Sequence, residues 1–287
     1  MKRILLASDG SANADAALAL TLEGPWPTDS IFEVLIVSDK TLVAGHVDTD
    51  HGKKIASRAT EKLNEKYGGD RVHSTVLSGH AVETIADFAS QSQTDLVMVG
   101  AHSWHGLLNQ LLNGNTVMRL LAERGKLKGL CIARPKEGTL CRRVLVCGGS
   151  DAAIERIASD LCELHWQPGT VFRLEHVYMP PDFHYSANPD VAFKLYKEDD
   201  EQIRTVRLTT LNKAKTLLTS KIPQSTTEVE ALGDALPAER ILSICRDWHA
   251  DLIVLGPPEH KGVDKLLPGS VANLLTREAP CSVLLLP

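Results

Sequence analysis

Short, nearly continuous apolar runs punctuate this chain, and between them apolar residues recur at helical spacing. The runs Arg3 to Ser8, Ile31 to Val37, Arg71 to Leu77, Asp95 to Val99 and Leu130 to Ala133 predict five buried strands. A second set follows over Val144 to Cys147, Thr170 to Val177, Thr227 to Ala231, Leu252 to Leu255 and Ser282 to Leu286. Ile55, Ala59 and Leu63 fall on one helical face, Gly68-Gly69 marks that helix's stop, and a long helix is expected near Glu201 to Thr219. Strand and helix in alternation predict an α/β fold, each set forming a parallel sheet with helices on both faces.

The second set is a copy of the first. Thr94-Asp95-Leu96-Val97-Met98-Val99-Gly100 returns as Ala250-Asp251-Leu252-Ile253-Val254-Leu255-Gly256, an offset of 156. The preceding helices keep that register, Glu83 with Glu239, Ile85 with Ile241 and Phe88 with Ile244. Earlier, Trp26-Pro27 against Trp166-Gln167-Pro168 and Ile31-Phe32 against Val171-Phe172 match at an offset of about 140. The difference of 16 places extra residues in the second copy, in the polar, loop-like Pro180 to Asp200 stretch. The expected domains are residues 1–136 and 141–287, the second with an insertion around 180–200, joined by a linker over Pro135 to Leu140.

Composition narrows the classes of function. A net charge of −5 leaves no basic surplus for a phosphate backbone, so no nucleic-acid partner is expected. No run approaches the length of a membrane helix, and the start at Met1 has too short an apolar run for a secretory leader. Six cysteines without a C-x-x-C pair fit a reducing, cytoplasmic setting in which they serve as small core hydrophobes.

Candidate chemistry lies after the first and fourth strand of each copy, where open parallel sheets bind ligands. After strand one, the carboxylate of Asp9 in Asp9-Gly10-Ser11 can accept hydrogen bonds from a ribose or an adenine amine, or serve as a turn or capping residue. The second copy has Gly148-Gly149-Ser150 there; Asp9 falls opposite Gly148 or Gly149, and the carboxylate is lost either way. After strand four, the first copy runs from Gly100 through Gly106 to Gly114-Asn115-Thr116, and the second from Gly256 through Gly262 to Gly269-Ser270-Val271. Glycines let backbone amides approach phosphate oxygens, and a helix start favours an anion. The alternative is that these glycines only turn the chain into a helix.

These residues resemble the universal stress protein family, in its tandem two-domain form. Its nucleotide-binding members carry G-x2-G-x9-G-(S/T) after strand four and an Asp at the end of strand one. Gly256, Gly269 and Ser270 match that loop, with Glu259 at the second glycine; Asp9 and Gly100 match in the first copy, with Ser103 at the second glycine and one extra residue before Gly114. A carboxylate at 259 opposes phosphate by charge and bulk. The resemblance implies two doubly wound, Rossmann-type domains of the adenine nucleotide alpha-hydrolase-like class, meeting along their last strands as an intramolecular pseudo-dimer. It implies a cytoplasmic stress-response protein binding ATP, ADP or AMP, with or without Mg. A homodimer and an unidentified protein partner are the other associations to look for.

Two other classes stay open. One is an interaction scaffold with relic loops, in which the insertion covers a site or recruits a partner. The other is an ATP pyrophosphatase: Cys147-Gly148-Gly149-Ser150-Asp151-Ala152 is similar to that class's S-G-G-x-D-S loop, but both terminal serines are missing. No general base is identifiable beside either loop, so at most a weak ATPase is expected. His102 and His105 lack companions for a metal site, and Gly45 to Lys54 has the wrong spacing for a Walker loop. Asp199-Asp200-Glu201 reads as acidic decoration of a helix N-terminus, and Trp26 and Trp166 as packing residues.

Overall fold

The computed structural model describes residues 2–38, 49–101, 119–120, 126–135, 141–178, 189–256 and 270–286. Ten strands form one sheet: β1 (Arg3–Ser8), β2 (Ile31–Ser38), β3 (Val72–Ser78), β4 (Leu96–Gly100), β5 (Leu130–Ala133), β6 (Arg143–Cys147), β7 (Val171–Tyr178), β8 (Thr226–Gly233), β9 (Leu252–Leu255) and β10 (Ser282–Leu285). Each agrees with its sequence expectation to within two residues. The strand order is β3-β2-β1-β4-β5-β10-β9-β6-β7-β8. Pairing is parallel within each half, and β5 and β10 meet antiparallel with Leu284 opposite Cys131. The two copies are therefore joined along their last strands, as the pseudo-dimer reading expects.

Seven helices are described: α1 (Ala12–Glu23), α2 (Thr49–Tyr67), α3 (Ala81–Gln91), α4 (Asp151–Cys162), α5 (Pro189–Lys221), α6 (Pro237–Asp247) and α7 (Ser270–Glu278). Successive strand side chains point to opposite faces, so each strand feeds two cores. Ile4 and Leu6 belong to the core layer on one face, which also holds Leu18 of α1, Leu63 of α2, Ile157 of α4 and Leu211 of α5. Leu5 and Ala7 belong to the core layer on the other face, which also holds Ile85 of α3, Ile241 of α6 and Leu275 of α7. The stripe expected on α2 is present, with Ala59 and Leu63 buried, and Gly68 ends the helix at φ +86°.

The repeated Asp-Leu motif has a structural cause. Asp95 Oδ2 accepts the Arg3 amide at 2.9 Å, and Asp251 Oδ2 accepts the Arg142 and Arg143 amides at 2.9 and 2.7 Å. Each carboxylate ties the start of its half's fourth strand to the start of the first. Across the junction Arg134 donates from its backbone to Ser282 Oγ at 3.1 Å and from its guanidinium to the Cys281 and Thr276 carbonyls. Trp26 and Trp166 are packing residues as expected, each indole N–H donating to the carbonyl five residues earlier, Thr21 and Leu161.

Two expectations are corrected. The long second-half helix begins at Pro189, not near Glu201, so much of the 180–200 insertion is helix rather than loop. Proline at a first helical position fits because its missing N–H would be unpaired there anyway. Asp199-Asp200-Glu201 consequently lies inside α5, where Asp200 accepts the Tyr178 hydroxyl at 2.9 Å. The six cysteines are free and all but Cys162 are buried.

Candidate functional site

In the first half the strand order reverses between β1 and β4, one connected outward to β2 and the other to β5. In open parallel sheets such a reversal is where a crevice opens, at the carboxyl ends of the strands. The structure has a cavity of about 100 Å³ at this point. Its walls are Ala7, Ser8 and Asp9 from β1 and its loop, Leu35 and Val37 from β2, Val99 and Gly100 from β4, Ser11, Asn13 and Ala14 at the start of α1, and Ala81 and Ile85 of α3. Small-molecule pockets typically have about 300–1,000 Å³. The apolar cavity is thus the size of a ring subsite rather than of a whole nucleotide.

Local backbone chemistry fixes the rim. Asp9 Oδ1 accepts the Ser11 amide at 3.0 Å, Ser8 Oγ accepts the Gly10 amide at 3.2 Å, and Ser11 Oγ caps α1 by accepting the Ala14 amide at 3.2 Å. Gly10 sits at φ +76°, which only glycine adopts readily. Asp9 is therefore a turn residue, as one sequence reading has it, and also the carboxylate that lines the cavity. Gly100 is explained by packing: a Cβ there would land on the Asn13 carbonyl and 2.7 Å from the Ala14 amide nitrogen. Its lack of a side chain lets α1 lie directly on β4.

The second half repeats the frame with different contents. Arg3 pairs Ile31 as Arg143 pairs Val171, and Leu6 pairs Met98 as Val146 pairs Val254. Counted from the strand, Asp9 is equivalent to Gly149; counted back from the capping serines Ser11 and Ser150, it is equivalent to Gly148. Both counts hold because the second loop is one residue shorter. Ser150 Oγ caps α4 through the Ala153 amide at 3.1 Å. Gly148 is closed in, since a Cβ would meet Ile154 Cδ1 at 2.8 Å, whereas Gly149 has nothing within 4 Å.

The same register puts Glu175 in the place of Leu35. Leu35 pairs with Ala7, and Glu175 with Cys147. Both side chains are fully buried, at 0% exposure. Glu175 Oε1 accepts from Arg173 Nε at 2.6 Å, and Arg173 Nη2 also donates to Glu230 at 2.7 Å. Glu175 Oε2 is buried with no hydrogen-bond partner. Burial pushes this carboxyl up to about 7, against the opposing pull of Arg173. Arg173 also lies 6.0 Å from the Trp248 ring centre.

Of the sequence candidates, the structure brings Asp9 and Gly100 together in the first cavity. Gly256 follows β9 directly, and a Cβ on it would lie 3.0 Å from Ile157 Cδ1, a side chain rather than backbone. Ser270 and Val271 open α7, whose Val271 packs against the core. Gly106, Gly114, Asn115, Thr116, Gly262 and Gly269 lie outside the described residues, as do His102, Ser103, His105 and Glu259. Sequence reasoning missed Leu35, Val37, Ala81, Ile85 and Val99, which read as ordinary core, and Glu175, which a charge inside the Val171–Tyr178 apolar run could have flagged.

Among the described residues no group of three or more His, Cys, Asp or Glu is suited to a metal, and no helix is long and apolar enough to cross a membrane. The profile of the universal stress protein family matches residues 1–123 and 141–287. A universal stress protein from Archaeoglobus fulgidus DSM 4304 has a similar solved structure, with 17% identity and a TM-score of 0.56, covering 99% of this chain and 95% of that one. A functionally unknown protein from Pseudomonas aeruginosa PAO1 is similar at 15% identity and a TM-score of 0.61, covering 100% and 92%. No curated protein matches.

Proposed function

The chain belongs to the universal stress protein family, and from that premise we propose that it is a cytoplasmic stress-response protein that binds an adenine nucleotide in its first half. The observation that supports this reading is the crevice at the β1/β4 reversal, apolar on its walls and carrying one carboxylate at its rim. Leu35, Val37, Ile85 and Val99 offer flat apolar contact to a purine ring, and Asp9 offers an acceptor to ribose hydroxyls. The residues present therefore fit the adenosine part. Phosphates would extend from the rim toward the chain that follows Gly100, with Mg, where it takes part, as their counter-ion.

The protein acts in this reading as a binding module, with no reaction assigned. Calorimetric titration with ATP, ADP and AMP tests it, using wild type and Asp9→Ala. Binding to wild type that weakens about 10- to 100-fold on loss of the carboxylate is expected. Absence of binding by all three nucleotides would leave the tandem sheet as an interaction scaffold, a role that the packing explanation for Gly100 already accommodates.

A further inference from the structure

We propose that Cys245 and Cys281 are a redox pair, which hydrogen peroxide closes into a reversible disulfide that staples the second half. Their sulfurs lie 3.5 Å apart, one on α6 and the other on the residue before β10. A disulfide bond is about 2.05 Å long, so the sulfurs need to approach by about 1.5 Å. The two residues are 36 apart in the chain, and the loop they would close holds β9, α7 and the glycines Gly256, Gly262 and Gly269. Neither cysteine lines the first-half cavity, so the pair needs no nucleotide to act. In a reducing compartment a disulfide of this kind is transient and reports on oxidant.

Arg134 supplies the charge that such a pair needs. Its guanidinium donates to the Cys281 carbonyl at 3.2 Å, and Cys281 and Cys245 favour its charged form against the opposing effect of burial. A cation beside a thiol favours the thiolate, the form that attacks peroxide. Cys281 is buried but follows the exposed Pro280, so the route from solvent is short and suits a water-sized oxidant. The same burial keeps out bulkier thiols, which leaves Cys245 to capture the oxidised sulfur. The Cys281 thiolate attacks one peroxide oxygen and the O–O bond breaks. Hydroxide leaves and takes up a proton, giving a sulfenic acid and water. Cys245 Sγ then attacks Cys281 Sγ, the S–O bond breaks, and the departing hydroxide takes the Cys245 proton as a second water. The two sulfurs lose two electrons and the peroxide gains them. A thiol reductant reopens the bond.

The test is peptide mapping of the full chain without reduction, after graded hydrogen peroxide and alkylation of the remaining thiols in denaturant. The expected product joins the Cys245 peptide to the Cys281 peptide, is absent from Cys245→Ala and Cys281→Ala, and is removed by dithiothreitol. Oxidised wild type should also melt about 5 to 15 °C above the reduced protein, because the closed loop restricts the unfolded chain, and neither alanine variant should show that rise. Peroxide treatment that leaves both thiols open to alkylation overturns the proposal. So does a bond from Cys245 to Cys147, whose thiol also feels Cys245, or sulfinic acid at Cys281 in place of the cross-link. An oxidised protein that melts no higher than the reduced one overturns the staple. The wild-type map decides the pairing by itself if a variant does not fold.

Discussion

The loop after β1 and the loop after β6 hang from the same strand register and lead into helices capped by the same residue type, yet they frame different surfaces. The first places Asp9 at the rim of an apolar cavity walled by Leu35. The second is one residue shorter, offers Gly149 in place of the carboxylate and has the buried Glu175 at the register position of Leu35. The frame is what the sheet needs for folding, so duplication preserved it. The contents are free of that constraint and have diverged, which is where a difference in ligand can arise.

The sharpest way to break the comparison is at the glycines ending the fourth strands. Gly100 lies against helix backbone, which cannot step aside, whereas the nearest atom to a Cβ at Gly256 is Ile157 Cδ1, the end of a side chain that can rotate. Gly100→Ala should destabilise by about 3 kcal/mol or more, and Gly256→Ala by less than about 1 kcal/mol. Urea unfolding of both variants checks this; equal losses would show that the halves pack their first helices alike.

Glu175 gives the next largest effect. Its carboxyl is raised from 4.5 to about 7, chiefly by burial, with Arg173 and Arg240 lowering it and Glu230 raising it. Cys147 faces it from β6, its thiol pushed well above its usual range by burial and by Glu175. Between those two pH values the folded protein holds a proton that the unfolded chain has released. The contribution is therefore fully present below about pH 4.5 and is lost as pH rises through about 7. At about 1.4 kcal/mol per unit, the slope over this window amounts to about 3 kcal/mol. Glu175→Leu should flatten that part of the stability curve while Asp9→Ala leaves it intact. Denaturant midpoints measured from pH 4.5 to 8 decide the matter.

A conversion tests whether contents alone separate the halves. Gly149→Asp combined with Glu175→Leu gives the second half the carboxylate and the aliphatic residue that line the first half's cavity, and Gly149 has the space for a carboxylate that Gly148 lacks. The double variant should gain a second ATP site, seen in titration as a rise in stoichiometry from one to two per chain. About a tenfold gain in affinity, or about 1.4 kcal/mol, is expected at that site. A stoichiometry that stays at one would mean that the shorter loop itself excludes the nucleotide.

The frame was legible in the sequence and the contents much less so. Ten strands were readable because a strand buried on both faces must be an apolar run, as in Ile4-Leu5-Leu6-Ala7. The start of α5 is hidden because the polar Pro180 to Asp200 stretch has the composition of a loop, although Pro189 suits a first helical position. Asp9 could be named from its place after a strand, but Leu35 and Val37 could not, since an apolar residue lining a cavity has the same pattern as one filling a core. Gly100 was legible as a required glycine, while the cause, the α1 backbone, exists only in three dimensions.

The smallest effect is the most direct control, because it concerns what the halves share. Ser11 and Ser150 make equivalent caps, accepting the amides of Ala14 and Ala153 at 3.2 and 3.1 Å. Ser11→Ala and Ser150→Ala should each cost about 1 kcal/mol, equal within error by urea unfolding without ligand. Only Ser11 lines the first cavity, at the positive end of α1 where an anion is favoured. With saturating ATP the two variants should separate, Ser11→Ala gaining less stability from the nucleotide than Ser150→Ala, because ligand stabilisation scales with affinity for the folded state. If they still move together, the nucleotide does not sit at the α1 N-terminus, and the asymmetry drawn from Asp9 and Leu35 must be reassigned to packing alone.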